Sequence, residues 1–232
     1  MQYLYHAAAG GDRAAAAEPE ALGAVRASGG WLWLDLVDFD AEEAFAAGRA
    51  FGFDAIAMED VTDLGEFPKV DEYADHAFVV AHGVSADPSR LHTAEYDAFI
   101  GAGYLATFHS EDLPEFAWVR EKVQEPGWLA GGGPDQVFAR IAEAGAGRFE
   151  PLIGGLEERV LDTESRALAG DHTVVGEVQA LRRDALMLRK IVGPLRDTFM
   201  RLGSEDLVGV GERAPLRFQS VRDPYFRIAE SL

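Results

Sequence analysis

The sequence predicts an α/β fold: a mixed β-sheet sandwiched by helices (α/β/α), followed by a long antiparallel helical hairpin and one further helix. Three observations predict it. Strand-like apolar runs alternate with short helical patterns as far as residue 130, and Gly131-Gly132-Gly133-Pro134 then ends the strand patterns. Beyond it, apolar residues recur at steps of three and four over lengths that only long helices supply.

The elements follow in order. Tyr3 to Tyr5 reads as a short strand, and a helix around Glu18 to Arg26 is ended by Gly29-Gly30. Trp31-Leu32-Trp33-Leu34-Asp35-Leu36 is almost continuously apolar, as expected of a strand buried on both faces. Asp40 stands at an N-cap position with Glu43 three residues on, the capping-box spacing, before Ala44-Phe45-Ala46-Ala47. After Phe51-Gly52-Phe53 a short helical patch runs to Val61, then a polar turn holds Pro68, and a strand covers about Ala77 to Val84. Asp97-Ala98-Phe99-Ile100 and Tyr104-Leu105-Ala106-Thr107-Phe108 form a hairpin across Gly101-Ala102-Gly103, because glycine supplies the positive φ that a tight turn requires. A helix over Pro114 to Val123 carries Phe116, Val119 and Val123 on one face.

In the second half, Phe149, Leu152, Ile153, Leu156 and Val160 form one stripe, and Val178, Leu181, Ala185, Leu188, Val192, Leu195, Phe199 and Leu202 form another. With Ala169-Gly170-Asp171 as a tight connection, the two pack as an antiparallel hairpin. Gly145, Gly147 and Pro151 predict a break or kink in the first helix, since each glycine costs about 1 kcal/mol and an interior proline about 3. Gly193-Pro194 predicts a bend in the second. Glu212 to Leu232 is amphipathic and lacks a C-cap glycine, which reads as a chain stopping in mid-helix. The resulting division is 1–132 for the α/β unit, 133–203 for the hairpin and 204–232 for a linker and the last helix.

Composition narrows function. At 232 residues and 48% apolar content the chain buries a sizeable core. No run reaches the roughly 18 apolar residues of a membrane helix, and Met1-Gln2-Tyr3-Leu4-Tyr5 is no secretory leader, so the chain reads as soluble. Zero cysteines exclude disulfides and thiolate chemistry, which leaves oxygen and imidazole as metal donors. A formal charge of −19 argues against nucleic acid and anionic lipid and leaves cations as natural partners. Phosphate loops, nucleophile elbows and H-E-x-x-H are all missing, and the six histidines show no i, i+4 pair, so no enzyme is expected. Carboxylates do concentrate: Glu59-Asp60, Asp63 and Glu66 gather at a turn, with Asp71, Glu72 and Asp75 following. Magnesium, a hard ion held by one or two carboxylates through a retained water shell, suits such a corner. An ordinary solvated acidic turn fits the same residues.

Several segments, taken in order, resemble the cytoplasmic domains of the CorA family of magnesium and cobalt channels. Trp33-Leu34-Asp35-Leu36 is similar to the family's W-hydrophobic-D strand, and Met58-Glu59-Asp60-Val61 to its L-E-D-hydrophobic corner. Phe67-Pro68-Lys69-Val70-Asp71-Glu72-Tyr73 resembles R-P-K-V-E-x-Y with phenylalanine in place of the basic residue. Ala117 to Val123 parallels a P-V-R-E-R-I helix, Leu188-Arg189-Lys190 with Pro194-Leu195-Arg196-Asp197 an L-R-x-x-x-x-P-L-R-E helix, and Pro224-Tyr225-Phe226-Arg227 the start of a stalk helix. The resemblance spans about residues 31 to 227.

It implies the N-terminal cytoplasmic domain of a channel whose two membrane helices and G-M-N pore signature are absent from this chain, at the cytoplasmic face of the cell membrane and pentameric when full length. It also implies regulatory Mg2+ held between neighbouring subunits, with Glu59, Asp60 and Glu143 as the metal residues and Co2+ or Zn2+ as other ions. High magnesium would then favour a closed ring, a negative feedback on uptake. One departure is evident: where the family places an aspartate after the Tyr225-Phe226-Arg227 motif, this chain has Ile228. Two other readings stand beside this one: a zinc transporter of the same fold, using His76 or His82, and a soluble acidic interaction module with no ion role.

Overall fold

A computed structural model gives the fold and describes residues 1–8, 10–85, 92–129, 132–204, 207–208 and 214–232. Gly131 of the predicted boundary, and Glu212 at the start of the predicted last segment, lie outside the described residues. In chain order the elements are β1 (Gln2–Ala7), β2 (Ala15–Ala17), α1 (Leu22–Ala27), β3 (Trp31–Val37), α2 (Ala41–Phe51), α3 (Ala55–Thr62), β4 (Lys69–Glu72), β5 (His76–Val84), β6 (Thr93–Gly101), β7 (Tyr104–His109), α4 (Pro114–Lys122), α5 (Pro134–Leu168), α6 (Val175–Ser204) and α7 (Ala214–Glu230).

Seven strands form one sheet in the order β2-β1-β3-β7-β6-β5-β4. Among the described residues only β3 and β7 pair in parallel and every other pair is antiparallel, so the sheet is mixed as expected. All seven residues of β3 are buried, with alternate side chains serving opposite faces. On one face Leu32, Leu34 and Leu36 join Phe78, Phe99 and Phe108 beneath α2 and α3. On the other, Trp33, Val79, Ile100 and Leu105 meet Phe116 of α4, Phe138 of α5, Phe199 of α6 and Phe218 of α7. That is the α/β/α arrangement.

Local chemistry sets the boundaries. Asp40 accepts from the Glu43 amide at 2.9 Å while the Glu43 carboxylate accepts from the Asp40 amide at 3.1 Å, the reciprocal capping box. At the α5 end Gly170 takes φ +86, and the Gly170 and Asp171 amides return to the carbonyls of Ala167 and Arg166, a Schellman closure that turns the chain toward α6.

Asp35, on the Trp33 face of β3, is fully buried and organises a polar network. Its Oδ1 accepts from Thr107 Oγ1 at 2.5 Å and His109 Nε2 at 2.9 Å, and its Oδ2 from Arg120 Nη1 at 2.6 Å. His109 also donates Nδ1–H to the Glu111 carbonyl, and Trp33 Nε1–H donates to Thr107. The network ties β3, β7 and α4 together.

Several expectations are corrected. The segment from Glu18 is first a 3-10 turn at Pro19–Ala21 and only then α1. The edge strands β2 and β4 carry no strong apolar pattern and escape sequence reading. No break occurs at Gly145, Gly147 or Pro151: α5 is continuous over 35 residues, because Ala146, Phe149 and Ile153 are buried in the core and that packing outweighs the propensity cost. α6 is also one continuous helix across Gly193-Pro194, so the bend expected there does not end it. The two long helices do form the expected antiparallel hairpin, bridged by Arg159–Asp184 and Arg166–Glu177, and α7 packs against both of them. Val160 and Val178, placed in the buried stripes by periodicity, are 46% and 49% exposed, because the hairpin beyond the reach of α7 has too few neighbours to cover them.

Candidate metal-sensing corner

The acidic corner is the end of α3 and the turn that feeds β4. Asp54 caps α3 by accepting from the Ile56 amide at 2.9 Å, and Ala57, Met58 and Val61 anchor the helix on the sheet. That leaves Glu59 outward and exposed, with no ion pair among the described residues, and Asp60 half-buried beside β4. Lys69 occupies the middle of the corner: its Nζ lies 2.7 Å from Asp60, 3.4 Å from Glu66 and 3.7 Å from Asp71. Burial opposes the ammonium charge, but Asp60, then Glu66 and Asp71, outweigh it and raise the Lys69 pKa.

Beneath this surface lie two buried carboxyl groups, Glu95 and Asp97, that sequence reading missed. The pairings Lys69↔Val80, Val80↔Asp97 and Asp97↔Phe108 put those residues in one row on the α3 face of the sheet. Glu95, two residues from Asp97 on β6, stands on the same face opposite His82. Asp97 is fully buried with neither oxygen hydrogen-bonded, and burial, reinforced by Glu95 and Asp60, pushes its pKa well up. Glu95 accepts from the Gly65 amide at 2.7 Å, and burial still lifts its pKa to about 7. The only signal available in the sequence was an acid at alternate positions of a strand otherwise apolar.

Glu143 is not part of this corner. It sits on α5, across the sheet from α3, and is bonded to Arg140 at 2.6 Å. Among the described residues no group of three or more His, Asp or Glu side chains is arranged to hold a metal ion. Among the described residues the corner therefore offers Glu59 and Asp63 as exposed, unpaired carboxylates and Asp60 already engaged by an internal cation.

The histidines lie elsewhere. His76 packs against Tyr73, Phe53 and Phe99, with Nδ1 2.7 Å from Asp75. His82 bonds the Glu66 carbonyl at 2.9 Å, and burial lowers its pKa. Both belong to β5, six residues apart and hence about 20 Å from each other, so they cannot share an ion. Ile228 is 3% exposed in the core of α7, so that position points inward rather than toward a neighbour. No helix among the described residues is long and apolar enough to cross a membrane.

Comparison with known proteins places this fold. The sequence profile of the family described as "CorA-like Mg2+ transporter protein" matches residues 28–232. The Bacillus subtilis protein YfjQ, named as a metal ion transporter, is 29% identical over 201 residues, covering 86% of this chain and 62% of that protein. The cobalt/magnesium transport protein CorA of Thermotoga maritima is 20% identical over 189 residues, covering 80% of this chain and 54% of that protein. Among solved structures, the soluble domain of CorA from Methanocaldococcus jannaschii superposes with a TM-score of 0.81 at 16% identity, over 100% of this chain and 90% of that one. The ZntB cytoplasmic domain from Vibrio parahaemolyticus gives 0.77 at 10% identity, over 99% and 89%. The chain thus spans less than two thirds of the curated relatives named here, and it belongs to the CorA-like Mg2+ transporter family.

Proposed function

We propose that the chain is the cytoplasmic, ion-sensing domain of a CorA-like divalent-cation transporter that assembles as a homopentamer at the cell membrane and closes when internal magnesium is high. The observation that carries this reading is the state of the acidic corner in a chain of this family. Among the described residues Glu59 is exposed and unpaired, while Asp60 is half-buried and held by Lys69. Carboxylates of neighbouring copies brought near such a corner repel, and a shared Mg2+ turns that repulsion into attraction. Co2+ would occupy the same oxygen donors. Glu143 serves a second contact of the same kind from α5. In this reading residues 1–132 form the sensing unit, 133–203 the long helices that transmit its state, and 204–232 the link toward the membrane.

Thermal unfolding with and without magnesium tests the proposal. Millimolar Mg2+ raises the Tm of the chain, and Glu59→Gln and Asp60→Ala each reduce the shift. A site filled at 100 times its Kd adds about 2.7 kcal/mol. A chain wholly indifferent to millimolar magnesium overturns the sensing role and leaves the family fold.

The second reading, zinc handling, draws on the ZntB relatives. Zinc prefers imidazole. Micromolar zinc outcompeting magnesium, with affinity lost on replacing His76 or His82, decides for it.

A further inference from the structure

The α5–α6 pair presents two outward faces of opposite charge. On α5, Glu157, Glu158, Leu161, Glu164 and Leu168 recur at helical spacing and are exposed, Leu161 at 63% and Leu168 at 83%. On α6, Arg182, Leu186 and Arg189 share one exposed face with Arg183 and Lys190 beside them, and Leu186 is 50% exposed. The inward sides are already taken, since Leu156 and Thr163 of α5 and Leu181 and Leu188 of α6 are buried. Both charged faces therefore look away from the helix pair.

Among the described residues none of Arg182, Arg183, Arg189 and Lys190 makes an ion pair or a side-chain hydrogen bond, and the same holds for Glu157, Glu158 and Glu164. The intrahairpin bridges Arg159–Asp184 at 3.3 Å and Arg166–Glu177 at 2.8 Å set the register of the two helices. They bring the acidic stretch 157–164 level with the stretch 179–186. In a chain of net charge −19, a face with four unpaired cations repeats on one helix the leucine-and-charge spacing that its antiparallel neighbour carries with the opposite sign.

We propose that the α6 face of one copy packs against the α5 face of the next, a head-to-tail contact in which arginines meet glutamates around Leu186 and Leu161. A rotation about an axis parallel to these helices keeps the two faces at equal height, so the contact repeats around a closed ring. This surface goes beyond the ion-sensing reading and needs no metal.

Sedimentation velocity of the 232-residue chain in EDTA at low salt tests it. The chain associates, and raising the salt weakens association because the contact is electrostatic. Arg182→Glu with Arg189→Glu weakens it by about tenfold or more. Adding Glu157→Arg and Glu164→Arg to that variant, which exchanges the signs of the two faces, restores it. Because the chain has no cysteine, a Glu157→Cys, Leu186→Cys variant under mild oxidation forms a covalent ladder only through contacts between copies. A parent chain that stays monomeric, a reversal without effect, a sign exchange that fails to restore association, or an oxidised variant that stays monomeric overturns the proposal. None of these results depends on magnesium, so a failure here is distinct from a failure of ion sensing.

Discussion

Arg120 of α4 sets its Nη1 2.6 Å from Oδ2 of Asp35 in β3, across 85 residues of sequence. Arg120 also bonds Asp112 and lies 4.6 Å over the Tyr3 ring, so a single guanidinium joins the helix to two strands and a loop. Its carboxylate partner is fully buried, which makes the pair indispensable once formed: removing one member strands the other charge away from water.

Arg120→Ala is therefore expected to cost about 3–5 kcal/mol in urea unfolding. The pH dependence has two limbs. Burial opposes ionisation of Asp35, but His109 and Arg120 outweigh it and lower its pKa, so its contribution is present above the ordinary 3.8 and is lost as pH falls through the lower folded value. Burial also opposes the charge on His109, but Asp35 outweighs it and raises the pKa; that contribution is complete below 6.5 and is lost as pH rises through the folded value. His109→Gln removes the second limb, which Tm measured across pH reports.

Glu95 behaves in the opposite sense to an ordinary surface acid. With its pKa lifted from 4.5 to about 7, the folded chain holds a proton that the unfolded chain releases. Its contribution is full below 4.5 and is lost as pH rises to about 7. Glu95→Gln should flatten the stability profile between those values and raise Tm at pH 8 relative to the parent. An unchanged slope in calorimetry contradicts the burial argument.

Lys69 already acts as a cation in the corner, 2.7 Å from Asp60. Lys69→Gln leaves Asp60, Glu66 and Asp71 without their shared counter-charge, so the variant is less stable in chelator and gains more in Tm from magnesium than the parent does. An equal or smaller magnesium shift in the variant shows that the corner carboxylates are not what the ion reads.

Gly30 holds φ +87, and a Cβ there would collide with the Ala7 carbonyl oxygen at the entry to β3. Gly30→Ala combines left-handed strain with a backbone clash and should cost about 2–4 kcal/mol by thermal or urea unfolding. Gly29, also at positive φ but in open space, should tolerate alanine at roughly 1–2 kcal/mol.

Much of this protein is legible in local pattern. The Trp31–Leu36 run, the Asp40–Glu43 box, the hairpin glycines and the apolar periods of α5 and α6 identify themselves, because each depends on residues within a turn or two of one another. The order of its motifs carries the family resemblance in the same way. Tertiary structure alone decided the rest. Pairing of β4, β5 and β6 lined Lys69 up with Asp97, and packing of α7 against both long helices turned Ile228 inward. The same packing ended short of Val160 and Val178 and left them in water. Those outcomes are set by strand register and by which faces meet at long sequence separation, and hydrophobic periodicity records only that a face is buried, never against what.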